Sequence, residues 1–124
     1  TMSGLAARVR VNEGSAQASL KTISVGAEMY LNTNSAYPSD LATLGSDYIP
    51  SPLAASQKSG YNFALKTSTG GATFTATAVP ITINTTGVKS YCINNLNVIY
   101  VYTNAPALAG DGTNCPSGGN PLSG

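Results

Sequence analysis

At 124 residues, 42% apolar and only 9% charged, the chain fits one domain. It does not fit an intrinsically disordered polymer, which runs rich in charge and poor in β-branched residues. A net charge of +1 is spread over Arg8, Arg10, Lys21, Lys58, Lys66, Lys89 and five carboxylates, which offers no basic face for nucleic acid or an anionic membrane.

Residues 4–32 read as one helix. Leu5, Val9, Ala16, Leu20, Ile23, Ala27 and Tyr30 recur at helical spacing, with a polar break at Asn12 and Glu13. Gly14 and Gly26 each cost such a helix about 1 kcal/mol relative to alanine. About 28 residues of helix would measure roughly 40 Å. That exceeds what a small domain needs, so one end is expected to project. The half before Ala16 has the weaker apolar stripe and is the expected overhang.

Residues 33–59 read as a connecting loop. Polar turn formers accumulate at Asn32–Asn34, and Ser39 or Asp40 can cap a short helical turn that Gly45 ends. Pro50 and Pro52 predict an extended passage over the surface through 46–59.

From Gly60 the period changes to two, and 60–103 reads as an antiparallel sheet of about four strands. Tyr61, Phe63 and Leu65 alternate with Asn62, Ala64 and Lys66. After a turn at Ser68–Gly71, Ala72, Phe74, Ala76 and Ala78 alternate with Thr73, Thr75 and Thr77, and Pro80 is expected to end that strand or bend it at an edge. Segments 88–93 and 96–103 form a second hairpin around Asn94-Asn95. Residues 104–124, rich in Gly, Pro, Asn and Ala, read as a C-terminal loop. The expectation is therefore a single α+β domain over 1–124.

Cys92 and Cys115 are the whole thiol inventory, in a chain without histidine. One disulfide suits that pattern better than a metal site, with two separate buried thiols as the alternative. Closing a loop of about 24 residues would stabilise the fold by roughly 3 kcal/mol. No stretch of 18 or more apolar residues occurs, and the start carries no signal-peptide pattern.

Catalytic chemistry finds little to work with. Without histidine, Ser-His-Asp and Cys-His constellations are impossible. Of the carboxylates Glu13, Glu28, Asp40, Asp47 and Asp111, only Asp40 and Asp47 offer a conceivable acid–base pair. Glu28 reads as a rim residue. Asp111-Gly112-Thr113-Asn114 presents oxygen ligands, but calcium takes six to eight, and a plain turn is expected. Asp111 is thus a weak candidate, and no metal or cofactor is assigned. Tyr61, Tyr91, Tyr100 and Tyr102 fall on predicted strands, where tyrosine is a favoured residue; stacking on a glycan or nucleotide is the alternative. Asn84-Thr85-Thr86 matches a glycosylation acceptor pattern that carries little weight by itself.

Three stretches carry a family resemblance. They are Ala7–Ala16 with Ala18–Ile23, then Tyr37-Pro38-Ser39-Asp40-Leu41-Ala42-Thr43-Leu44, and lastly Thr86–Tyr91 with Asn97–Tyr100. In that order they resemble the type IV pilins and the pseudopilins of type II secretion, and Asn120-Pro121-Leu122 is similar to the family's usual finish. The resemblance implies an apolar, membrane-embedded half-helix preceding Thr1, with a peptidase cleavage site and a carboxylate at the fifth mature position. It implies a filament built from copies of this chain by inner-membrane assembly machinery. The subunit would wait in the inner membrane facing the periplasm and end at the cell surface. Arg8, Arg10 and Glu13 would sit where neighbouring subunits meet, and exposed pairs of that kind contribute at most about 1 kcal/mol. The resemblance also implies calcium near Asp111 if the chain is a pseudopilin of type II secretion. An extracellular ligand-binding module is the alternative from another class. Direct nucleic-acid binding is not expected.

Overall fold

The computed structural model describes residues 2–122. The opening helix, α1 (Met2–Asn34), runs for 33 residues, about 50 Å at 1.5 Å per residue. It ends where Ser35 turns into the left-handed region (φ 64°) and its N–H closes on the Leu31 carbonyl, three residues before Pro38.

The segment after α1 is more ordered than its two prolines suggested. Asp40 caps α2 (Leu41–Leu44) by accepting from the Thr43 N–H at 2.7 Å, and Gly45 (φ 71°) ends it. Pro50 and Pro52 frame the first turn of α3 (Ser51–Ala54) in place of an extended passage. Helical first-turn positions have no N–H partner to lose, so proline fits there. Leu41, Leu44, Ile49 and Leu53 are buried, which fastens this segment along the helix.

The sheet has six strands where about four were expected, in the order β1–β6 with every neighbouring pair antiparallel. Four long strands carry it: β2 (Tyr61–Thr67), β3 (Phe74–Pro80), β4 (Lys89–Asn94) and β5 (Ile99–Thr103). Two-residue strands flank them, β1 (Gln57–Lys58) and β6 (Asn120–Pro121). Strands this short have no periodicity to read. β1 exists because Ser59 (φ 51°) and Gly60 (φ 80°) both take left-handed angles and fold Gln57–Lys58 back onto Tyr61–Asn62. The β4–β5 turn runs longer than Asn94-Asn95. The Asn94 side chain accepts from the Leu96 and Val98 N–H groups, and Asn97 turns left-handed (φ 65°).

Ala16, Leu20, Ile23 and Ala27 of α1 pack on one sheet face with Tyr61, Phe63, Leu65, Phe74, Ala76, Ala78, Tyr91, Ile93 and Ile99. β3 is buried on its other face as well, where Thr75 and Thr77 point. The cover there is the C-terminal segment 104–119, which crosses the back of the sheet as a strap. The Cys92–Cys115 disulfide holds it, with Cα atoms 5.8 Å apart. Ser90 Oγ donates to the Ala105 carbonyl (2.9 Å), Thr73 Oγ1 to the Gly112 carbonyl (2.8 Å) and Tyr102 OH to the Pro116 carbonyl (2.6 Å). Gly112 (φ 90°) is placed so that any Cβ would meet the Thr67 carbonyl. Helix, sheet and strap thus make three layers.

Candidate assembly surface

Projected at about 100° per residue, α1 carries two apolar stripes on opposite sides. Val9, Ala16, Leu20, Ile23 and Ala27 face inward and are buried. Ala7, Val11, Gly14, Ala18, Val25 and Met29 lie about 180° away, and all are exposed. Val11 is 69% exposed, Val25 61% and Met29 50%. Thr22, on the same line, turns its hydroxyl back to the Ala18 carbonyl (3.1 Å) and presents its methyl. A Cβ at Gly14 would meet nothing within 4 Å. From Ala7 to Met29 the stripe extends about 33 Å, at spacings of three, four and seven that suit packing against another helix. The inward stripe dominates a first reading of the sequence. The outward one was legible only as a second register of Ala, Val and Met.

The polar break in α1 is a clamp. Glu13 Oε2 accepts from the Val88 N–H (2.9 Å) and the Lys89 N–H (3.0 Å), while Asn12 Nδ2 donates to the Thr86 carbonyl (2.9 Å). Both side chains bind the connection between β3 and β4, so one end of the sheet lies level with residues 12–13. Beyond it residues 4–8 are exposed on every side, and α1 overhangs the sheet there. Arg8 and Arg10 stand exposed on this overhang. Of the three residues expected at a subunit boundary, Glu13 has its carboxylate engaged within the chain and the two arginines are open to solvent.

At the other end Glu28 accepts from Tyr37 OH at 2.5 Å. Burial, reinforced by that carboxylate, pushes the Tyr37 hydroxyl up to about 12. The Tyr37 N–H bonds the Gly71 carbonyl, which sets the β2–β3 turn beside the end of α1. Asp40 is committed to its cap, and the Thr43 N–H holds it below the ordinary carboxylate range. Asp47 is exposed. Asp111 Oδ1 accepts from the Asn114 N–H (2.7 Å) and the Thr113 N–H (2.8 Å), which lower its pKa in that order. Its turn is therefore built on its own backbone. Among the described residues no group of three or more His, Cys, Asp or Glu side chains could hold a metal.

The tyrosines divide. Tyr61 and Tyr91 lie in the core, their rings 6.3 Å apart, with Tyr61 OH bonded to the Lys89 carbonyl at 2.7 Å. Tyr102 anchors the strap, and only Tyr100 of the four keeps part of its ring outside. Asn84 sits left-handed (φ 68°) in the loop after β3. Where the strap crosses β2 and β3 it leaves a cleft of about 200 Å³ lined by Ala64, Lys66, Thr75, Thr77, Leu108 and Gly110. That is below the roughly 300–1,000 Å³ of small-molecule sites. Among the described residues no helix is long and apolar enough to cross a membrane. Searches against protein-family models, curated proteins and solved structures found no match for this chain.

Proposed function

We propose that the chain is a structural subunit of an extracellular filament of the type IV pilus class, with copies of itself as partners. The observation that carries this reading is the outward stripe of α1, Ala7 to Met29, exposed along about 33 Å and free of any intrachain cover. Apolar surface of that length on a monomer marks an interaction site. Its small residues, Gly14 and Ala18 among them, let a second helix approach closely. Burying the exposed parts of Val11, Val25 and Met29 would contribute about 1–2 kcal/mol each. Repeated along a polymer, that is enough to favour association. The overhanging first turns point the same way, because a helix that outruns its own sheet has surface left for other copies. In the filament the apolar half-helix expected upstream of Thr1 provides the membrane anchor before assembly, and the inner-membrane machinery extracts it. The strap and the rear of the sheet face outward. Attachment, motility or DNA uptake would be executed by the polymer, with no catalytic group required.

The test replaces Val11 and Val25 together by glutamate in the full-length gene, with surface filaments counted by electron microscopy. Exposed positions tolerate such changes to within about 0.5 kcal/mol of folding stability. Folded protein without filaments is the expected result. Filaments at wild-type number would count against this reading.

A further inference from the structure

The near-neutral net charge conceals a separation of charge along the molecule. At the overhanging end stand Arg8, Arg10, Lys58 and Lys89 against a single carboxylate, Glu13, which backbone N–H groups occupy. The fold puts them together: Lys89 adjoins the Glu13 clamp, and Lys58 lies one turn from Gly60, whose Cβ would fall 2.9 Å from Asn12 Nδ2. At the far end stand Glu28, Asp40, Asp47 and Asp111 against a single lysine, Lys66. Three contacts group these. Glu28 meets Tyr37, Tyr37 meets Gly71 in the β2–β3 turn, and Thr73 of that turn meets Gly112 beside Asp111. Asp47 stands at the near edge of this group, because the carbonyl of its neighbour Tyr48 lies 2.9 Å from a Cβ built on Gly26, two residues before Glu28 in α1. Lys21 alone lies between the two ends.

Glu13, Glu28, Asp40 and Asp111 each accept hydrogen bonds within the subunit, and Lys66 helps lower the pKa of Asp111, which leaves Asp47 and the other basic side chains. Among the described residues no Arg or Lys side chain donates a hydrogen bond or closes an ion pair. Nor does the order follow the helix dipole, which favours acids near the start and bases near the finish. α1 has Arg8 and Arg10 early and Glu28 late.

We infer that copies of this chain dock head to tail, with Arg8 and Arg10 of one subunit against the acidic part of the next, reached at its near edge through Asp47. This rests on the filament reading above and names the surface that receives the two arginines. The occupant is a second copy because both halves of the complementary pair lie on the same chain, at opposite ends. Such a heterologous contact propagates as an open filament when its rotation does not close a ring, the case the filament reading requires. Residues 10 and 26 of α1 are about 24 Å apart along the axis, which sets the offset between copies. Screening limits exposed charges to short range, so the contact selects register and direction while the apolar stripe supplies affinity.

The test expresses the full-length gene in its own host as wild type, Arg8→Glu/Arg10→Glu, Asp47→Lys, and the three changes combined. Asp47 is chosen because Asp40 caps α2 and Asp111 shapes its own turn. Thermal melting of each variant's soluble domain controls for folding. Each partial reversal should lower filament yield about tenfold or more, and the combined variant should return to within a few-fold of wild type. Wild-type yield in both partial reversals overturns the pairing, and so does loss without recovery in the combined variant. A wild-type chain that forms no filaments defeats the filament reading itself. Normal wild-type filaments with indifferent charge variants defeat only the head-to-tail contact.

Discussion

One oxygen of Glu13 accepts from two consecutive backbone N–H groups, those of Val88 at 2.9 Å and Lys89 at 3.0 Å, across 75 residues of chain. A carboxylate at that point of α1 satisfies donors at the start of β4 that would otherwise face the helix unpaired. It also sets how far the sheet slides along α1, and therefore how much of the helix overhangs.

Removing that acceptor has a calculable cost. Hydrogen bonds to a charged group contribute about 1.5–3 kcal/mol. Glu13→Ala is expected to lower folding stability by about 2 kcal/mol in urea titrations. Glu13→Gln, which keeps an acceptor oxygen and loses the charge, should cost about half as much. An unchanged midpoint in the alanine variant would show the clamp to be idle.

Tyr37 makes stability depend on alkaline pH. Its hydroxyl is pushed from the ordinary 10 up to about 12, first by burial and then by Glu28. The folded state therefore keeps a proton that the unfolded state gives up between those values, and stability falls as pH rises through the window. The contribution is complete below pH 10, where both states are protonated. Tyr61, Tyr91 and Tyr102 are shifted upward by burial too, so Tyr37→Phe should flatten the decline only in part. Urea midpoints across this range, wild type against variant, check it. An equally steep fall in both would place the effect elsewhere.

The disulfide closes a separation of 23 residues and staples the strap to the middle of the sheet. Replacing both cysteines by serine should cost about 3 kcal/mol. The change should also be local. Amide exchange is expected to speed up in 104–119 and at Thr75, whose Oγ1 accepts from the Gly112 N–H at 3.0 Å, while residues 16–27 of α1 stay protected. Uniform loss of protection would mean the strap and helix layers fold as one unit.

The two helical glycines should respond in opposite directions to alanine. Gly14 faces open space, so Gly14→Ala recovers helix propensity and should stabilise by up to about 1 kcal/mol. At Gly26 a Cβ would lie 2.7 Å from Ile49 Cγ2 and 2.9 Å from the Tyr48 carbonyl. Overpacking of that kind costs about 1–3 kcal/mol and outweighs the propensity gain. Thermal melting of the two variants should move to opposite sides of wild type.

Local pattern carried much of the fold. Helical recurrence from Leu5 to Tyr30, alternation in Tyr61–Lys66 and Thr73–Ala78, the Asp40 cap and the Gly45 stop all depend on residues within a few positions of each other. Such signals survive in a sequence read alone. The two cysteines of a histidine-free chain pointed to Cys92–Cys115, which the structure contains. The two-residue strands β1 and β6 and the turn α3 left no usable period, and they form because longer neighbours hold them.

By itself, then, the sequence determined the helix, the four main strands and the inward face of β2, and favoured the cysteine pair, because each follows from short-range periodicity or residue inventory. Tertiary structure decided the rest. The strap covers Thr75 and Thr77, Glu13 reaches Val88 and Lys89, and the charges gather at opposite ends only through contacts between residues tens of positions apart. Whether the Val11–Met29 stripe is core or surface was likewise settled by which side of α1 the sheet occupies. A helix with two apolar sides does not announce which one its own domain will bury.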